Sequence, residues 1–113
     1  MNCSPLGVNV ILVEPGAVKT NFYGNLKLAH DATGPDSPYA KFMSGLQSAA
    51  ARMVEDAIPA QEVAEVIAQA ARSDSPQMRY VIGKDTQVMI EARKSMDDKE
   101  FEKFVAARFF GNQ

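Results

Sequence analysis

A strand-like apolar run that stops at a Pro-Gly pair is the feature that most constrains this chain. Residues 8–14 read VNVILVE, and Pro15 and Gly16 follow directly. A near-continuous apolar run rich in β-branched side chains is typical of a strand buried on both faces of a parallel sheet. Proline cannot donate to a sheet ladder, and glycine adopts backbone angles that other residues avoid, so the strand should end at this pair. In open α/β sheets ligands bind beyond the carboxyl ends of the strands, and the sequence therefore predicts a ligand near the Pro-Gly turn.

The segments on either side of this strand are predicted to be irregular. Residues 1–6 are expected to form a loop, or the frayed end of a helix, that enters the strand. Residues 17–36 include Gly24, Gly34 and Pro35, which favour turns. We expect this second segment to be a loop with at most short helical turns.

Two helices are predicted to follow the loop. Ser37 is a suitable N-cap, with Pro38 at the first helical position, and apolar residues recur from there at helical spacing. A second helix is expected from Pro59 to about Arg72. The apolar positions are Tyr39, Phe42, Met43, Leu46, Ala49, Ala50 and Met53 in the first helix, and Val63, Val66, Ile67, Ala70 and Ala71 in the second.

A second strand is predicted over 78–83, with Tyr80 and Ile82 on one face and Val81 on the other. Two strands separated by helices indicate a parallel β-α-β crossover. Two parallel strands do not form a stable sheet by themselves. The outer edge of the first strand would expose apolar side chains and unpaired backbone groups, so we expect an incomplete domain whose chain can self-associate.

The remaining residues are predicted to form two more helices. Asp85 is expected to cap the first, while Asp97 and Glu100 have the spacing of a capping box at the start of the second, which should end at Gly111. These helices are expected to cover the core or the sheet edge, with a pocket wall or a subunit contact as alternatives. Their apolar positions are Val88, Met89, Ala92 and Met96, and Phe101, Phe104, Val105 and Phe109.

Three segments in this order resemble the C-terminal portion of the short-chain dehydrogenase/reductase family. Residues 7–20 carry a Pro-Gly-x-x-x-Thr motif, residues 59–67 are similar to the helix before the family's last strand, and residues 79–85 are similar to that strand and its exit. The resemblance implies an α/β fold: the C-terminal part of a Rossmann-like parallel sheet, with two strands and flanking and C-terminal helices. Residues 1–113 would then be a single incomplete domain, with a late β-α-β unit over 1–83 and a helical extension over 84–113.

The resemblance also implies a function and a set of cofactor-binding residues. The parent activity would be NAD(P)-dependent conversion of an alcohol/carbonyl pair, with a small-molecule substrate and NAD or NADP as cofactor. Backbone groups of Pro15, Gly16, Ala17 and Val18 and the hydroxyl of Thr20 are expected to contact the nicotinamide end. For Thr20 the alternative is a structural cap after the turn. The first predicted helix is either a lid over the substrate or ordinary core packing, because an apolar stripe is compatible with both.

Other parts of the family pattern do not occur in this sequence. There is no glycine-rich cofactor loop, and the family's catalytic tyrosine and lysine precede the Pro-Gly strand, before which this chain has few residues. Tyr23 and Lys27 have the Y-x-x-x-K spacing, but Gly24 and Asn25 disfavour the helix that this pair requires. We assign no catalytic residue and expect the isolated chain to be inactive. A non-catalytic α/β binding or assembly module is the alternative.

Composition excludes several other classes of protein. The 113 residues have a formal net charge of −2 and no long basic block, which argues against nucleic acid as a partner. No apolar run approaches the roughly 20 residues of a membrane helix, and no signal peptide is recognisable. The single cysteine, Cys3, fits a reducing compartment, so a cytoplasmic location is expected.

Two single residues are predicted to be structural. The only histidine, His30, lies in a polar loop beside Asp31, and a metal site needs about three or four ligands, so we interpret it as a surface residue. Glu14 ends the apolar strand and is expected to bond nearby backbone or solvent at the rim of the sheet, with contact to a ligand as the alternative.

Overall fold

The computed structural model describes residues 2–111. Its strands are β1 (Asn2–Cys3), β2 (Val8–Asn9), β3 (Leu12–Pro15), β4 (Val18–Lys19), β5 (Ile58–Pro59) and β6 (Arg79–Ile82), and its helices are α1 (Ala40–Glu55), α2 (Ala60–Arg72), α3 (Lys84–Ser95) and α4 (Asp98–Phe110). Short 3-10 turns occupy Ser4–Leu6 and Tyr23–Asn25. The fold is α/β, and within residues 2–111 no helix is both long and apolar enough to cross a membrane.

The predicted parallel pair of strands is confirmed. β3 and β6 run parallel, with Leu12 opposite Arg79 and Pro15 opposite Ile82. This pairing joins segments on either side of α1 and α2, as the β-α-β interpretation requires. Among the described residues β3 has no strand on its other edge, so the arrangement is that of a fragment of a Rossmann-like sheet.

The first strand is shorter than predicted because the apolar run is divided between two partners. Val8–Asn9 pairs antiparallel with β1, and only Leu12–Pro15 pairs with the four residues of β6. Gly7, with φ of 69°, allows the chain to reverse after the 3-10 turn. The segment expected to be a loop or frayed helix end is therefore a short hairpin, apart from Met1, which lies outside the described residues.

A second, smaller parallel pair was missed by the sequence analysis. Val18–Lys19 of β4 lies beside Ile58–Pro59 of β5, within segments interpreted as a loop and as a helix start. Two-residue strands have no periodicity that a sequence pattern can reveal. The rest of 17–36 contains only turns and the 3-10 turn at Tyr23–Asn25, as predicted.

The helix ends agree with the predictions in two cases and differ in two. α2 ends at Arg72, and the capping box of α4 is present, with its C-cap at Gly111. α1 begins at Ala40, because the Ser37 hydroxyl accepts from the Tyr39 N–H at 3.2 Å and closes a separate turn before the helix. Asp85 is not a cap, since it lies inside the first turn of α3.

The chain comprises two compact units, and each has a thin core. One unit contains the residues up to Lys19 with Ala57–Ile90, and the other contains Thr20–Asp56 with the residues from Glu91 onward. Among the residues whose burial the structure describes, the buried apolar side chains are Ala57, Ala70 and Ile82 in the first unit and Ala49 and Ala92 in the second. The predicted stripe of α2 is covered only in part, and Ile67 is 49% exposed.

The second unit is held by contacts of α4 with α1 and with the end of α3. The rings of Phe42 and Phe110 lie 5.1 Å apart between centroids. Arg93 forms an ion pair of 3.0 Å with Asp98 and lies over the ring of Phe101, 5.4 Å from its centroid. The Phe101, Phe104, Val105 and Phe109 face of α4 is half-buried, as its spacing predicted.

Candidate functional site

The Pro-Gly turn lies at the carboxyl ends of the two parallel strands. Pro15 is the last residue of β3 and is opposite Ile82, the last residue of β6. The N–H of Gly16 donates to the carbonyl of Ile82 at 2.9 Å. The turn therefore starts at the sheet edge where α/β proteins bind ligands.

Asp85 fixes the conformation of this turn. Its Oδ2 accepts a hydrogen bond of 2.9 Å from the N–H of Ala17. The carboxylate also fills the space that a Cβ on Gly16 would occupy, so no larger residue fits there without a shift. A Cβ on Gly83, whose φ is 103°, would lie 2.6 Å from Oδ1 of the same carboxylate.

The chain beyond the turn is held by β5. The carbonyl of Ala17 accepts from the N–H of Ile58 at 2.9 Å, and Val18 is then opposite Ile58 in the β4–β5 pair. Pro15, Gly16, Ala17 and Val18, four of the five predicted cofactor-binding residues, are thus consecutive and ordered at one sheet edge. The N–H groups of Gly16 and Ala17 are already engaged within the chain, which leaves them no free donor for a ligand.

Thr20, the fifth predicted residue, directly follows β4. It is exposed, and its Oγ1 accepts from the N–H of Phe22 at 3.3 Å. That bond is the kind a structural cap makes, but it is long and uses only an acceptor position. The hydroxyl hydrogen is still able to donate to a ligand.

Glu14 has a partner that the sequence analysis did not foresee. Its Oε1 lies 2.8 Å from Nη1 of Arg79 on the neighbouring strand, in place of the expected bond to backbone or solvent. Its Oε2 is buried and has no hydrogen-bond partner within residues 2–111. Arg79 is opposite Leu12, two positions before Glu14, so this pair could be found from the sequence only with the strand register known.

The Tyr23 and Lys27 pair does not have catalytic geometry. Tyr23–Asn25 is a 3-10 turn, and Leu26 after it is extended, with ψ of 124°. The two residues therefore do not share one face of a helix. This agrees with the interpretation of the segment as a loop or short helix.

His30 is a surface residue, as predicted. Its Nδ1 lies 2.9 Å from Oδ1 of Asp31, and both side chains are almost fully exposed. In the part of the chain that the structure describes, no three histidine, cysteine, aspartate or glutamate side chains are grouped so that they could hold a metal ion.

The apolar face of α1 was interpreted either as a lid over the substrate or as core packing, and its contacts have features of both. Phe42 packs on Phe110 yet is 51% exposed, and Tyr39 is 66% exposed. A groove of about 670 Å³ lies beside the Phe42 and Phe110 rings, between α1 and α4. Whether this face contacts substrate or another part of a larger core stays an open prediction.

Comparison with known proteins relates the chain to oxidoreductases. It is 30% identical over 96 residues to each of two Schizosaccharomyces pombe proteins named uncharacterized oxidoreductases, a match that covers 85% of this chain and 39% of theirs. It is also 32% identical over 90 residues to a Helicobacter pylori protein named probable short-chain type dehydrogenase/reductase VdlC, covering 80% of this chain and 32% of that protein. No protein-family model matches the chain. The chain thus spans well under half the length of these relatives.

Proposed function

We propose that this chain is the C-terminal part of an NAD(P)-dependent oxidoreductase that acts on an alcohol/carbonyl pair. The observation that carries the proposal is the ordered Pro-Gly turn at the carboxyl ends of β3 and β6, followed by the exposed hydroxyl of Thr20. The names of the relatives, an oxidoreductase in two cases and a short-chain dehydrogenase/reductase in the third, support the same class of reaction.

In this proposal the chain forms the wall at the nicotinamide end of the site. A nicotinamide cofactor would donate the hydride in carbonyl reduction and accept it in alcohol oxidation, and the protein residues would hold and orient the cofactor. Thr20 donates a hydrogen bond, while Pro15 and Val18 present backbone and apolar surface. The N–H groups of Gly16 and Ala17 keep the turn in shape through Ile82 and Asp85.

The proton donor and the pyrophosphate-binding loop belong to the remainder of such an enzyme. The short-chain dehydrogenase/reductase pattern places a glycine-rich loop and a Ser, Tyr, Lys set upstream, and neither is found in this sequence. The chain by itself is therefore proposed to be inactive. The residues that select between NAD and NADP follow the second strand of the complete fold, which this sequence does not include. The proposed cofactor is therefore NAD or NADP.

A non-catalytic binding or assembly module is the second candidate. Two observations favour it: the turn is satisfied by internal hydrogen bonds, and Oγ1 of Thr20 already bonds the Phe22 N–H. In that case the Pro-Gly turn is purely structural, and the chain has no affinity for a dinucleotide in any context.

A chimera separates the two candidates. This chain replaces the matching segment of one of the Schizosaccharomyces pombe relatives, and binding of NADH and NADPH is followed by fluorescence titration. The intact relative is the positive control, and the relative with the segment deleted is the negative control. Restored cofactor binding, with carbonyl reduction on a broad panel, supports the oxidoreductase. If the chimera folds but binds neither NADH nor NADPH, while the intact relative binds one of them, the oxidoreductase proposal is contradicted.

A further inference from the structure

We infer that Asp85 is a positioning residue for the cofactor-binding turn. The inference rests on the proposed function of that turn, but the contact behind it is independent of any ligand. Asp85 lies 68 positions from its partner Ala17 in the sequence, and their hydrogen bond is 2.9 Å long. The bond joins the turn after β3 to α3, the helix that follows β6.

The carboxylate is enclosed by two glycines. On one side it fills the Cβ position of Gly16, and on the other Oδ1 would be 2.6 Å from a Cβ on Gly83. Gly83 also has to be glycine because its φ is 103°, a backbone angle that other residues rarely adopt. The φ of Gly16 is not positive. The three atoms nearest to a Cβ at position 16 all belong to the Asp85 carboxylate, so this side chain accounts for the glycine there.

The location of Asp85 suits a carboxylate. It lies in the first turn of α3, a helix of 12 residues, where the aligned peptide dipoles favour negative charge. A charged acceptor also makes a stronger hydrogen bond to the Ala17 N–H than a neutral one does. Helix and turn are thus held by one side chain that is itself half-buried.

Both backbone groups of Ala17 are held by hydrogen bonds. Asp85 accepts from its N–H, and Ile58 donates to its carbonyl at 2.9 Å. Together these bonds fix the direction in which the chain continues through Val18 and Lys19. Loss of the Asp85 bond releases one of the two restraints, so the groups that hold the cofactor would no longer be preorganised.

The first measurement is amide hydrogen exchange at Ala17 in the 113-residue chain. Asp85→Ala should speed exchange at Ala17 by about tenfold or more, because a hydrogen bond to a charged group is lost. Asp85→Asn keeps an oxygen acceptor and should retain most of the protection. Asp74→Ala, which removes an exposed carboxylate from the turn before β6, is the matched control and should leave Ala17 unchanged.

The second measurement is cofactor affinity in the chimera described above. At a temperature well below the melting transition of each variant, Asp85→Ala should raise the dissociation constant about three- to tenfold, and Asp85→Asn should restore affinity. If wild-type chimera binds cofactor and Asp85→Ala leaves the dissociation constant unchanged, the positioning role is wrong while the proposed function stands. If the wild-type chimera binds no cofactor, the proposed function and this inference both fail, and exchange at Ala17 still shows whether Asp85 holds the turn.

Discussion

The carboxylate of Asp85 occupies the place of the side chain that Gly16 lacks. The two residues lie in different elements, one after β3 and the other in the first turn of α3, and the parallel pairing of β3 with β6 brings them together. A glycine in a Pro-Gly turn is usually explained by backbone freedom. Here a side chain from elsewhere in the sequence fills the space beside the glycine.

This relationship predicts strong coupling between substitutions at the two positions. Gly16→Ala should destabilise the chain by about 1–3 kcal/mol, because a methyl group has to displace the Asp85 carboxylate. In an Asp85→Ala background the same substitution should cost less, since the three atoms nearest to the new methyl group are then removed. A double-mutant cycle on the free energy of unfolding should show a coupling of about 0.5–3 kcal/mol. Gly34→Ala, where a Cβ would meet nothing within 4 Å, is the control, and additive effects at 16 and 85 would contradict the model of a filled space.

The capping box of α4 gives a second prediction. The Asp97 Oδ1 accepts from the Glu100 N–H at 2.8 Å, and the Glu100 Oε2 accepts from the Asp97 N–H at 3.0 Å. Asp97→Ala should therefore lower the free energy of unfolding by about 1 kcal/mol, while Asp97→Asn should retain most of it. Urea denaturation measures both, with the exposed Glu102→Ala as control. An alanine variant as stable as the wild type would mean that α4 is held by packing alone.

Self-association is the third prediction, and its cause is the thin core. In the described part of the chain, four of the five buried apolar side chains are alanines, while Val8, Val10 and Leu12 are each about half exposed along the first apolar run. An open strand edge with apolar side chains pairs readily with another copy. Size-exclusion chromatography should show species larger than a monomer. Val10→Lys should shift them toward monomer, because a charge disfavours edge pairing, and Gln69→Lys on the exposed side of α2 should not. A monodisperse wild-type monomer with a sharp melt would show that the chain covers this surface by itself.

The fourth prediction is that the isolated chain has no dehydrogenase activity. Tyr23 is exposed on a 3-10 turn and does not share a helix with Lys27, so the two side chains lack the common helix face that the Y-x-x-x-K chemistry requires. NAD(P)H-dependent turnover on a panel of alcohols and ketones should stay at background. If the chain turns over substrate and Tyr23→Phe abolishes that activity, then the chain is not inactive and the Y-x-x-x-K spacing is catalytic.

The sequence predicted those features that depend on local chemistry or strong periodicity. The Asp97 and Glu100 spacing, the end of α2 at Arg72 and the apolar second strand were all recognisable, because each is encoded within a few neighbouring residues. The parallel pairing of β3 with β6 followed from the order of strands and helices. These features suffice to define the fold class.

Features that depend on distant partners could not be predicted. Asp85 was interpreted as a helix cap, since in sequence it simply precedes an apolar stripe, and its bond to Ala17 exists only once the sheet has formed. The Glu14 and Arg79 pair and the β4–β5 pairing also depend on strand register. Of the predicted cofactor-binding residues, Pro15 to Val18 lie together by chain continuity, and the ligand role of Thr20 stays a prediction.

Thr20 provides the last prediction, tested in the chimera with the Schizosaccharomyces pombe relative. Its hydroxyl follows β4 directly and bonds the Phe22 N–H only at 3.3 Å, so its hydrogen is available to a ligand. Thr20→Val removes the hydroxyl at nearly constant shape. A neutral hydrogen bond contributes about 0.5–1.5 kcal/mol net, so the substitution should weaken cofactor binding by roughly two- to tenfold. Thr20→Ser keeps the hydroxyl and should keep most of the affinity, and Thr33→Val, an exposed threonine in the following loop, is the matched control. Fluorescence titration of the cofactor is paired with a melt of each apo-protein, because the two possible roles of Thr20 differ in which quantity changes. If valine leaves cofactor affinity unchanged and lowers the melting temperature, Thr20 is a structural cap of the turn and the ligand role is wrong.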